Sequence, residues 1–159
     1  QVSLSPGNGF SVGFEIDFDS NVIGRQDMNV RLVNGTFKGQ ISRARTFGFV
    51  EEVDQLRRMG LALGGSLDNA VVVSGDEILN DEGLRYEDEF VRHKILDCVG
   101  DLYLAGAPIS GHFEGYRSGH AMNHEIVRAL FADPSAWRYT EMSAVTESGI
   151  EPQPLAATA

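Results

Sequence analysis

Along residues 10–18 every second position is apolar. Phe10, Val12, Phe14, Ile16 and Phe18 share one face, and Ser11, Gly13, Glu15 and Asp17 share the other. Successive side chains of a strand point to opposite faces, so strict alternation predicts a half-buried strand. A polar loop with Asp19, Ser20, Asn21 and Gly24 follows, and Met28, Val30 and Leu32 then alternate again, which predicts an antiparallel partner.

The period then changes. Over residues 50–59, Val50, Val53 and Leu56 recur among charged residues at helical spacing, and Gly60 offers a left-handed cap. After the turn Gly64-Gly65-Ser66, residues 67–73 include Ala70-Val71-Val72-Val73, whose β-branched run predicts a buried strand. Helix and strand together read as a compact β/α insertion. The longest helix is predicted over residues 87–104. Glu87, Asp88 and Glu89 suit the positive end of its dipole, and Gly106 and Pro108 stop it. Residues 109–116 read as a strand, and Ser118 as the cap of a last helix that ends at Asp133-Pro134. The small-residue, Pro-containing stretch 143–159 is expected to be a disordered tail. No internal repeat is visible.

Composition narrows the classes of partner. With 159 residues, 42% hydrophobic and 23% charged, the chain has the means to bury a core as one domain. A net charge of -10 repels the phosphates of nucleic acids and anionic lipid surfaces, so an anionic ligand requires a local Lys and Arg cluster. The single cysteine, Cys98, sits among apolar residues at helical spacing and reads as a small buried hydrophobe in a reducing setting. No apolar run approaches the roughly 18 residues of a membrane span. The chain starts at Gln1, a few residues before a strongly patterned strand, and a missing upstream segment is expected.

The candidate chemistry lies on the long helix. At about 100° per residue, Asp97 falls about 40° and Asp101 about 80° from His93, on one stripe, with Val91, Ile95, Cys98, Val99 and Leu102 opposite. Residues four apart on a helix can share one metal ion, and imidazole and carboxylate both suit zinc. By spacing alone such a pair is more often a solvated or ion-paired surface. Arg117-Ser118-Gly119-His120 stands at the predicted start of the last helix, where free N–H groups favour an anion and His120 could titrate near neutrality, or could be an ordinary hydrogen-bonding residue. Arg43, Arg45, Thr46, Phe47, Gly48 and Phe49 form a basic and aromatic stretch suited to a carbonyl and an acyl or sugar surface, though core packing of the Phe pair is the commoner meaning. His112 and His124 have no partner legible in the sequence and read as structural.

Several blocks, taken in order, resemble one family. They are Ser42-Arg43-Ala44-Arg45-Thr46-Phe47-Gly48-Phe49, Leu63-Gly64-Gly65-Ser66, Gly83-Leu84-Arg85, Glu87-Asp88-Glu89-Phe90-Val91-Arg92-His93-Lys94 and Ser118-Gly119-His120. Together they resemble the UDP-3-O-acyl-N-acetylglucosamine deacetylases of lipid A synthesis, from about residue 9 to residue 132. The resemblance implies a cytoplasmic zinc amidase of Gram-negative bacteria with two similar α+β domains and the active site between them. It implies that this chain is the second, C-terminal domain, residues 1–142, with an insertion at about 46–79. The expected fold is therefore α+β, a two-layer sandwich of a mainly antiparallel sheet packed on helices.

Carried over by position, His93 and Asp97 match two zinc ligands. His120 matches the residue that stabilises charge and protonates the departing amine, Asp101 the residue that orients it, and Thr46 the hydroxyl that holds the oxyanion. Phe18, Phe47, Phe49, Lys94 and Arg117 match substrate-binding positions, the last where the family more often has Lys. Val50, Val53, Leu67 and Val72 are candidates for the lining of an acyl-chain passage. The resemblance also implies that the third zinc ligand, a His, and a general-base Glu belong to the first domain, a partner absent here. The isolated chain is then expected to bind zinc weakly and to be inactive. Two other readings stay open: a non-catalytic module that binds UDP or an acyl chain, and a site completed by His112 or His124 of a second copy.

Overall fold

The structure is a computed structural model that describes residues 1–60 and 63–141, so the expected tail at 143–159 lies outside the described residues. Residues Val2–Pro6 form a strand, β1, that the sequence reading did not name, its alternation being limited to Val2 and Leu4 against Ser3 and Ser5. The alternating segment is strand β2 (Phe10–Asp17), and its antiparallel partner is β3 (Arg25–Arg31), paired Val12 to Val30 and Phe14 to Met28. A short π-helical turn at Phe37–Ile41 leads to strand β4 (Thr46–Phe49), the stretch read from the sequence only as basic and aromatic. Helix α1 (Val50–Arg58) follows as expected, and Gly60 takes the left-handed φ of 76° that ends it.

The strand expected over 67–73 is β5 (Ala70–Ser74), parallel to β4 and followed by a two-residue strand, β6 (Glu77–Ile78). The insertion is thus a βαβ unit in its own three-stranded sheet, ordered β4-β5-β6. The long helix, expected over 87–104, is α2 (Glu89–Leu102). A 3₁₀ turn at Tyr103–Ala105 extends it, and Gly106, at φ 76°, stops it. Strand β7 (Gly111–Tyr116) and helix α3 (His120–Ala132) complete the described part.

The main sheet has the order β1-β7-β2-β3, antiparallel except where β7 lies parallel to β2. Helices α2 and α3 pack on one face of it, which makes the expected α+β two-layer sandwich. Val12, Phe14 and Ile16 of β2 and Phe113 of β7 are buried against Phe90, Val91, Ile95, Cys98 and Leu102 of α2. Each such side chain contributes roughly 1.5–3 kcal/mol on burial, so α2 is anchored by its apolar stripe and its opposite face is free for chemistry. Burial, with the nearby Asp101 and Asp97 charges, pushes the Cys98 thiol far above its ordinary range, which leaves it an inert core residue as expected.

Candidate active site

The polar stripe of α2 and the first turn of α3 meet over β4, around a cleft of about 300 Å³. Phe18, Phe47 and Phe49 form its aromatic wall, Thr46 and Gly48 lie along β4, and His93, Lys94, Asp97 and His120 form the polar wall. Residues scattered over a hundred positions of sequence are therefore neighbours, and most of those singled out by the sequence are among them.

On α2, His93 Nε2 lies 3.2 Å from Asp97 Oδ1, as the i,i+4 spacing requires. His93 Nδ1 donates to the carbonyl of Ala44 at 3.2 Å, which fixes the ring and leaves Nε2 facing the carboxylate. Phe47 packs its ring edge-on against His93, with centroids 6.2 Å apart. Lys94 Nζ donates to Asp97 Oδ2 at 3.3 Å. Burial pushes the Asp97 carboxyl up, but the hydrogen bond and charge of His93, with those of Lys94, more than offset it and hold the carboxyl below its ordinary range.

His120 reaches across from α3. Its Nδ1 donates to Asp101 Oδ2 at 2.8 Å, and its Nε2 lies 3.9 Å from Asp97 Oδ2. The turn leading into α3 has an unusual backbone: Arg117, not a glycine, has φ 47°, and its N–H donates to the Glu15 carbonyl at 2.9 Å. Ser118 does not cap the helix as the sequence suggested. The cap position is Gly119, and the Ser118 hydroxyl is buried without a partner. The Arg117 guanidinium is outside the cleft lining, 3.8 Å from Asp17 Oδ2.

The β4 register sorts the insertion's residues by face. Phe47 and Phe49 pair with the buried Val71 and Val73, and Phe47 stacks edge-on against the buried Phe90, centroids 5.0 Å apart. Gly48 pairs with Val72 on the other face, and a Cβ at Gly48 would stand 3.5 Å from Val53 Cγ2. Val53 and Val72 therefore flank Gly48, whereas Val50 opens α1 and Leu67 is exposed in the loop before β5.

Three features escaped the sequence reading. Arg45, read as part of a basic stretch, offers nothing to an anion: it is buried, and its guanidinium and N–H both bind Glu89, with Glu82 as a further partner. Glu89 in turn is a buried acceptor and not merely a charge at a helix end. It also accepts the Arg85 N–H at 2.6 Å. Arg45 is the one residue between Ala44, which binds His93, and Thr46, so this ion pair sets the register of β4 against α2. His112 and His124 both have partners: His112 bridges Ser11 and Glu114 on the sheet face away from the helices, and His124 binds Asp101. Only the one-turn spacing of His124 after His120 hinted at this.

The protein family described as LpxC: UDP-3-O-acyl N-acetylglycosamine deacetylase matches residues 1–132. A UDP-3-O-acyl-N-acetylglucosamine deacetylase of Acidithiobacillus ferrooxidans (strain ATCC 53993 / BNL-5-31) is 53% identical over 142 residues, 88% of this chain and 47% of the relative. One of Phenylobacterium zucineum (strain HLK1) is 53% identical over 138 residues, 87% of this chain and 47% of its own length. One of Neisseria gonorrhoeae (strain ATCC 700825 / FA 1090) is 49% identical over 144 residues, 89% and 47% of the two chains. This chain, which spans about half the length of the curated relatives it matches, belongs to the UDP-3-O-acyl-N-acetylglucosamine deacetylase family.

Proposed function

We propose that this chain is the second domain, residues 1–142 with an insertion at about 46–79, of a cytoplasmic zinc-dependent deacetylase. Its substrate is UDP-3-O-acyl-N-acetylglucosamine, from which it removes acetate in the committed step of lipid A synthesis. The observation that carries the reading is the convergence of His93, Asp97 and His120 on one cleft beside Thr46 and the Phe18, Phe47 and Phe49 wall.

The donor pair fits zinc. With His93 Nδ1–H committed to Ala44, Nε2 faces Asp97 Oδ1 at 3.2 Å, a separation bridged by the proton whose hydrogen bond lowers the Asp97 carboxyl or, in that proton's place, by a cation. Two ligands at roughly 2.0–2.1 Å from a tetrahedral ion stand about 3.3 Å apart, close to that separation. A bound zinc ion would polarise the acetamide carbonyl and make water acidic enough to act near neutral pH. Among the described residues no group of three His, Cys, Asp or Glu is placed to hold a metal. The family resemblance, not this absence, assigns a third ligand, a His, and the base Glu to the first domain.

The remaining roles belong to this chain. Asp101 holds His120 Nδ1, so that Nε2 can give its proton to the departing amine nitrogen as the C–N bond breaks. Thr46 Oγ1 donates to the carbonyl oxygen as it gains charge. Lys94 meets the hexosamine side, Arg117 the UDP phosphates, and the three phenylalanines the apolar part of the substrate. Val50, Val53, Leu67 and Val72 contribute to the acyl passage.

Zinc titration and acetate release, measured on the complete enzyme and on the 159-residue chain, test this. The complete enzyme should bind zinc tightly and turn over, and the chain alone should do neither. Robust turnover by the chain alone would overturn the shared-site reading. Binding of UDP by a zinc-free complete protein that releases no acetate would favour the non-catalytic module.

A further inference from the structure

His124, just behind the cleft wall, is given no task by the proposed chemistry. It lies one turn after His120 on α3, and its Nε2 donates to Asp101 Oδ1 at 3.1 Å. The other carboxylate oxygen, Oδ2, accepts His120 Nδ1 at 2.8 Å and the Asn123 amide at 2.9 Å. Positions 120, 123 and 124 stand on one helical face by i,i+3 and i,i+4 spacing, and all three close on a single carboxylate of α2.

Their contributions differ. The His120 side chain is 62% exposed, so packing does little to hold the ring and its direction depends on the bond to Asp101. A carboxylate held at one oxygen can still swing about its Cβ–Cγ bond. Asn123 shares Oδ2 with His120 and does not stop that swing. Among the described residues His124 is the one donor to Oδ1, and a bond on each oxygen fixes the plane.

We propose that His124 is a positioning residue: it locks the Asp101 carboxylate plane and through it aims His120 Nε2 at the reacting nitrogen. This rests on the reading of His120 as the proton donor. The competing possibility is that the bond only staples α3 to α2, and the two are separable because a staple acts on stability whether or not His120 is present.

The test uses the complete enzyme, with kcat, KM and melting temperature measured for wild type, His124→Gln, His124→Leu, His124→Ala, His120→Ala and the double variant His120→Ala/His124→Leu. Glutamine carries an N–H at about the reach of His Nε2, so His124→Gln should stay within about twofold of wild type. Misaiming a catalytic group without removing it should lower kcat about three- to tenfold in His124→Leu and His124→Ala, with KM unchanged. On the His120→Ala background His124→Leu should cost nothing further, because groups that act as a unit are not additive. Wild-type-like kcat in both the Leu and Ala variants, or a full loss that persists on the His120→Ala background, overturns the proposal while leaving the deacetylase reading intact. A wild-type enzyme that releases no acetate overturns both.

Discussion

The two walls of the cleft meet at Phe47 and His93 but are held by different forces. On the α2–α3 side, charged and polar groups fix one another: Glu89 on Arg45, Asp97 between His93 and Lys94, Asp101 under His120, Asn123 and His124. On the side of the insertion, aromatic edges and β-branched faces do the work, with Phe47 set against Phe18, Phe90 and His93, and Val71 and Val73 beneath. Directional bonds suit the wall to which the proposed function assigns proton transfer, since a misplacement of about 1 Å can cost about 10²-fold in rate. Non-directional packing suits the wall to which the proposed function assigns the apolar part of the substrate.

If this division holds, the largest effect comes from the polar wall. His120→Ala should lower kcat of the complete enzyme roughly 10²–10⁴-fold, the ordinary contribution of a positioned general acid, with the melting temperature little changed. A loss of less than tenfold in steady-state acetate release would show that His120 is not the proton donor.

Next comes Glu89→Gln, which leaves the buried Arg45 charge uncompensated and should destabilise the fold by about 3–5 kcal/mol in urea unfolding. Burial alone would raise the Glu89 carboxyl. The Arg45 side-chain hydrogen bond, the Arg45 and Arg85 backbone N–H donors and the Arg45 charge bring it below its ordinary range. A depressed folded-state pKa gives stability that is complete above the unfolded value and is lost as pH falls through the folded one. Urea midpoints of the wild type should therefore drop on acidification below roughly pH 4, and the drop should be shallower in Glu89→Gln. Parallel acid profiles for the two proteins would remove the pair from this role.

The smallest effect belongs to the packing wall. Phe47→Leu keeps most of the apolar volume and loses the edge contacts with Phe18, Phe90 and His93, at a cost of about 1–1.5 kcal/mol. Because no charge is involved, the cost should be the same at pH 5 and pH 8. A strongly pH-dependent cost would mean that Phe47 acts through His93, and the two walls would not be separable.

Much of the scaffold was legible because it follows from local periodicity. The alternation over residues 10–18, the apolar stripe of Val91, Ile95, Cys98 and Leu102, and the stop signals at Gly60 and Gly106 correspond to β2, the buried face of α2 and two left-handed helix ends. Strands β1 and β4 were not legible. The first is an edge strand exposed along much of its length, and the second is only four residues long, so the alternation of Phe47 and Phe49 is too short to stand out and Gly48 between them reads as a turn residue. The positive φ at Arg117 left no trace either: it accompanies a hydrogen bond from its N–H to the carbonyl of Glu15, about a hundred residues earlier.

For the site, the chain's own residues determined which groups could act. The i,i+4 spacing of His93 and Asp97 puts both on one stripe in any helix, and the motifs around them are shared with the deacetylase family. Partnership was decided by the tertiary fold alone. Asp101 acquires three donors, Glu89 acquires Arg45 and His124 acquires a carboxylate because α2, α3 and the start of β4 are packed together. Helical periodicity is a property of neighbours along the chain, whereas a hydrogen bond between residues tens of positions apart exists only once the core has brought their elements within 3 Å.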